Sequence, residues 1–98
     1  MNSLSEKDIE KKLVESVKKM GGIAPKFVSP GFAGVPDRIV LLPNARMAFV
    51  ELKAPGKKMR PLQIRRKNQI EKLGFKVFCV DGLSQIPEIL KQIGGDAL

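Results

Sequence analysis

The sequence predicts an α/β fold, a mixed sheet flanked by helices in the order αβββαβα. Three patterns carry the prediction: an amphipathic helical stretch near the N-terminus, two apolar runs joined by a short turn, and a strand–helix–strand unit behind them. A chain of 98 residues buries about two-thirds of its unfolded surface, enough to fold as one domain (residues 1–98) without disulfides.

Each element has its own signal. Over about Ser5 to Met20, Ile9, Leu13, Val17 and Met20 recur at helical spacing. Ser3 and Glu6 are spaced as a capping box, and Gly21-Gly22 ends the helix. A strand is expected over 23–29, followed by the loop "SPGFAGVP", rich in Pro and Gly. "RIVLL" reads as a central strand, "PNAR" as a turn and "MAFVELK" as the returning strand of an antiparallel hairpin. "APGKKMRP" is a basic loop. A helix over about Leu62 to Leu73 stops at Gly74, "KVFCV" is a further strand, and a last helix covers Gln85 to Ile93. The crossover from "MAFVELK" to "KVFCV" places those two strands parallel.

Composition narrows the chemistry. Eighteen Lys and Arg against ten Asp and Glu give a net charge of +8, which suits a polyanionic partner, nucleic acid before membrane. The chain has no His, Tyr or Trp. That excludes a Ser-His-Asp triad, a His-ligated metal and a Tyr nucleophile. Cys79 stands alone within "KVFCVD" and reads as a buried thiol in a reducing cytoplasm. The longest aliphatic run, "IVLL", is far too short to span a membrane, and the polar N-terminal stretch does not read as a signal peptide.

With so few acids, those beside apolar strands need a reason. A turn centred between Asn44 and Ala45 sets Asp37 opposite Leu52, between Glu51 and Lys53. Alternation points Glu51 and Lys53 to one face with Phe49 and Met47, and Ala48, Val50 and Leu52 to the other. On the first helix Glu10 falls within the apolar arc, where a carboxylate needs a partner. Glu6 shares the arc, in the first turn, and Glu15 lies opposite. The plainer alternative is a surface Glu–Lys pair and an ordinary turn Asp.

Gly-x-Pro-Asp at 34–37, a hairpin's length, and Glu-x-Lys at 51–53 form a more specific combination. With "KFVSPGFAGVPDR" leading in and "PLQ" at 61–63, the chain resembles the PD-(D/E)xK nuclease superfamily, and within it the stand-alone VRR-NUC (virus-type replication-repair nuclease) family. The resemblance implies a restriction-endonuclease-like sheet and a metal-dependent endonuclease that hydrolyses DNA phosphodiesters. It implies that Asp37 and Glu51 bind Mg²⁺ or Mn²⁺, with the Leu52 carbonyl and a helix carboxylate, Glu10 or alternatively Glu6, completing the set. It implies catalytic support from Lys53 and Gln63. Stand-alone members resemble Holliday-junction resolvases, so branched DNA and a homodimer with two sites are expected.

No acid lies between Glu51 and Glu71, so Lys57, Lys58, Arg60, Arg65 and Arg66 would line the approach to the metal and contact the DNA backbone, joined by Lys26 and Arg38. Five Phe are the only aromatics, which predicts little base stacking. "SPGFAG" reads as a mobile turn, with Phe32 placed to wedge into a junction or to meet a second subunit. A non-catalytic basic DNA-binding module, or a nuclease subunit of a larger phage complex, is the competing reading.

Overall fold

The computed structural model describes residues 4–94. Its first helix, α1 (Glu6–Lys19), is capped by Ser5 rather than Ser3, which lies outside the described residues. Ser5 Oγ accepts from the Asp8 N–H at 3.1 Å, and Asp8 Oδ2 accepts from the Ser5 N–H at 2.9 Å. Reciprocal satisfaction of this kind removes two of the helix's unpaired donors. Ile9, Leu13 and Val17 are buried, as their spacing requires. Gly21 then turns the chain in the left-handed region (φ 84°), and Gly22 passes so close to the Leu41 backbone that no Cβ would fit.

The segment after α1 departs from expectation. In place of a strand over 23–29 there are two isolated bridges, Ile23 to Leu41 and Lys26 to Arg38. Both belong to one antiparallel register. Ile23 and Leu41 exchange both hydrogen bonds, and the Ile39 N–H donates to the Pro25 carbonyl at 3.0 Å. Pro25 has no N–H to return, so the ladder breaks there.

Strands β1 (Arg38–Leu42) and β2 (Arg46–Leu52) form the predicted hairpin, and β3 (Val77–Val80) runs parallel to β2, giving the sheet order β1-β2-β3. The hairpin register pairs Leu42 with Arg46 and Arg38 with Val50. The turn is therefore three residues, Pro43, Asn44 and Ala45, with Asn44 and Ala45 at φ 66° and 59°. One step beyond Arg38, Asp37 comes across from Glu51, one residue from the predicted register.

Helices α2 (Pro61–Lys72) and α3 (Gln85–Gly94) complete the order. One face of the sheet, carrying Val40, Leu42, Ala48, Val50, Leu52 and Val80, packs against α1 and against Ile86, Ile89, Leu90 and Ile93 of α3. Fourteen buried apolar side chains in this single cluster hold the sheet rigid beneath the site. α2 has no buried residue and lies over the opposite face, where Gln63 meets Glu51. No helix among the described residues is long and apolar enough to cross a membrane.

Candidate active site

Three side chains of the sequence motif converge at one end of the hairpin. Alternation sends Val50 and Leu52 into the core and Glu51 to the α2 face, yet Glu51 is only 1% exposed. Asp37 is fixed by its Oδ2 accepting the Leu52 N–H at 2.8 Å. Lys53 Nζ stands 3.3 Å from Glu51 Oε2, and Gln63 Nε2 donates to the same oxygen at 2.7 Å. Gln63 Oε1 in turn accepts the Arg60 N–H at 2.8 Å at the start of α2. The helix N-terminus thus orients the amide, and the amide orients the carboxylate.

Both donors act on Oε2. Oε1 of Glu51 is buried without a hydrogen-bond partner among the described residues. An unsatisfied buried carboxylate oxygen is costly, and the group's acidity shows it. Burial, then the neighbouring Asp37 charge, pushes the Glu51 carboxyl up to about 7, against a partial pull downward from Lys53. A bound cation would satisfy Oε1 and screen the two carboxylates from each other.

The donor set fits a hard divalent ion. Among the described residues no three Asp, Glu, His or Cys side chains are grouped to hold a metal. Asp37 and Glu51, close enough for the charge of one to act on the other, make a pair of carboxylates, a number Mg²⁺ commonly takes from protein while keeping waters and substrate phosphate.

Glu10, expected as the helix carboxylate of the metal set, is engaged elsewhere. Arg38 alternates to the α1 face, and its Nε and Nη2 donate to Glu10 Oε2 at 3.1 and 3.0 Å, while Nη1 donates to the Ala24 carbonyl at 2.8 Å. The side chains are 14% (Arg38) and 28% (Glu10) exposed. Arg38, expected at the DNA backbone, is thus a tie between α1, β1 and the 23–28 segment. Glu6 is exposed in the first turn.

The basic residues divide similarly. Lys26, Lys57, Lys58, Arg60 and Arg65 are exposed. Arg66 is instead held against the 29–34 loop, its Nε donating to the Ala33 carbonyl at 2.7 Å. Lys67 pairs with Glu71 at 3.0 Å.

Sequence reasoning missed one neighbour. Cys79, read as a core thiol, is half-buried and pairs with Glu51 in the parallel register, so it shares the site face. Burial, then the charges of Glu51 and Asp81, push its thiol up and keep it protonated. Only the β2–β3 register reveals this, and nothing in the local sequence sets it.

A mixed sheet with Asp entering its hairpin and Glu-x-Lys leaving it is the arrangement of the PD-(D/E)xK class. No family model matches the chain. It is 53% identical over 81 residues to "Putative nuclease p44" of Acyrthosiphon pisum secondary endosymbiont phage 1, an alignment covering 83% of this chain and 87% of that protein. A solved structure of a "VRR_NUC domain" superposes with a TM-score of 0.82 at 31% identity, covering 88% of this chain and 94% of the other. The chain belongs to the VRR-NUC family of nucleases.

Proposed function

We propose that the protein is a divalent-metal-dependent endodeoxyribonuclease acting on branched DNA. The observation that carries this reading is the buried Glu51 carboxylate, with Oε1 unpartnered, beside Asp37 and Lys53. The nuclease name of the phage relative supports it.

Asp37, Glu51 and the main-chain carbonyl of Leu52 would hold Mg²⁺ or Mn²⁺. Bound there, the ion would polarise the phosphoryl group and acidify a water. The chain's own residues do the remainder. Gln63 holds Glu51 Oε2, leaving Oε1 for the cation. The Leu52 N–H fixes Asp37, so neither carboxylate has to reorganise during the reaction. Lys53 brings an ammonium to the edge of the pair, where it orients the attacking water and stabilises charge developing on the phosphate. Lys57, Lys58, Arg60 and Arg65 neutralise phosphates on the approach and carry no sequence information.

Symmetric cleavage of a four-way junction requires two sites, so the working form is a homodimer. Its setting is the cytoplasm of a bacterium or a phage-infected cell.

The test is incubation with labelled four-way junction, flap and linear duplex under Mg²⁺, Mn²⁺ or EDTA. Cleavage of the branched substrates that EDTA, Glu51→Ala and Lys53→Ala each abolish supports the reading. Binding without product under either metal sinks it.

A further inference from the structure

Phe32 sits at the tip of the 29–34 loop, 42% exposed, with a guanidinium against one face: Arg66 Cζ lies 3.8 Å from the ring centroid. The loop that presents it is tied down. The Phe32 N–H donates to the Ser29 carbonyl at 3.0 Å, and Arg66 Nε donates to the Ala33 carbonyl at 2.7 Å. Arg66 is itself braced, its Nη1 donating to Gln69 Oε1 at 2.8 Å. At Gly34, φ is 86°, and an added Cβ would collide with the Leu62 side chain. The expected mobile turn is thus fastened to α2. Gln63, the residue that holds Glu51, lies one turn before Arg66 on that helix, about 4.5 Å along its axis.

An exposed ring invites either a protein or a base. Covering this ring with a second copy of the chain in a two-fold contact would strip water from the Arg66 guanidinium and set that charge against its own copy. A nucleobase does neither. It offers a π-face to the open side of the ring, and its phosphates complement the surrounding charge. Paired duplex has no free π-face along its length, whereas a branch or flap does.

We propose that Phe32, backed by Arg66, is a stacking platform for an unpaired nucleobase at the branch point, an inference that rests on the nuclease reading above. A single platform is compatible with the scarcity of aromatics, and it gives the protein a means of telling branched DNA from plain duplex.

The chain has no Trp and no Tyr, so Phe32→Trp installs a lone fluorescent reporter. Titrated in Ca²⁺, with binding followed by anisotropy, its emission is expected to be quenched by a flap or gapped duplex and unchanged by matched duplex. In the same assay Phe32→Ala is expected to bind the flap about 5- to 150-fold more weakly while its affinity for duplex stays the same. A flap that binds without quenching, or an equal loss on flap and duplex, overturns the platform. Retained cleavage in such a variant would leave the nuclease reading intact. Quenching by the flap in a protein that never cuts DNA would keep the platform and remove the nuclease.

Discussion

Glu51→Gln isolates the burial of a carboxylate from every other feature of the site. The amide keeps the shape and still offers an oxygen to Gln63 and Lys53, but carries no charge. In the unmodified protein the Glu51 carboxyl stands at about 7 in the folded state against an ordinary 4.5. The folded state therefore binds this proton more tightly than the unfolded chain. Its stabilising effect is complete below about 4.5, declines as pH rises, and is gone above about 7. A displacement of that size is worth about 3 kcal/mol, or on the order of 10–20 °C in Tm for a domain of this length. The window is clean, because the chain has no His and burial pushes the Cys79 thiol upward, out of it. Calorimetry of metal-free protein at intervals from pH 5 to pH 8 should show Tm falling for the unmodified chain and nearly level for Glu51→Gln. At pH 8 the variant should be the more stable of the two. Mg²⁺ or Mn²⁺ at about 100 times its Kd should return about 2.7 kcal/mol to the unmodified protein only. Equal pH slopes in the two proteins would refute the reasoning.

Gln63→Ala removes the group that orients Glu51, and metal affinity measured by calorimetric titration should fall about 10- to 100-fold with the fold intact. Arg38→Ala leaves Glu10 and the Ala24 carbonyl without their donor. It should cost about 2 kcal/mol in urea unfolding, and a fall in the DNA affinity of the folded variant would contradict its placement. Lys57→Ala with Lys58→Ala should weaken binding alike on all sequences. The salt slope of log K should flatten by about one unit for each phosphate that the variant no longer neutralises.

The chemistry was more legible in the sequence than the register that arranges it. Glu51 and Lys53 share a face because alternation along a strand leaves no choice, and the apolar positions 48, 50 and 52 set which face is the core. Asp37 was placed at the right end of the hairpin but one residue off. With Asn44 and Ala45 both left-handed, the turn closes in three residues rather than the four of "PNAR", and Ala gives no local warning of it. The strand expected over 23–29 overlooks Pro25, whose missing N–H interrupts any ladder. Glu10 is half-buried and paired, as its position on the helix arc required. Its partner, Arg38, is 28 residues away, and only packing of α1 on the sheet brings the two together. Arg66 likewise read as one more cation in a basic run. Its role as a fastener of the 29–34 loop exists only in three dimensions.

The most direct test of the central claim is a crystal structure of Mn²⁺-soaked protein with anomalous diffraction. A peak is expected between Asp37 and Glu51, within bonding distance of Glu51 Oε1. A peak placed elsewhere, in crystals of protein that cleaves DNA with Mn²⁺, would contradict it.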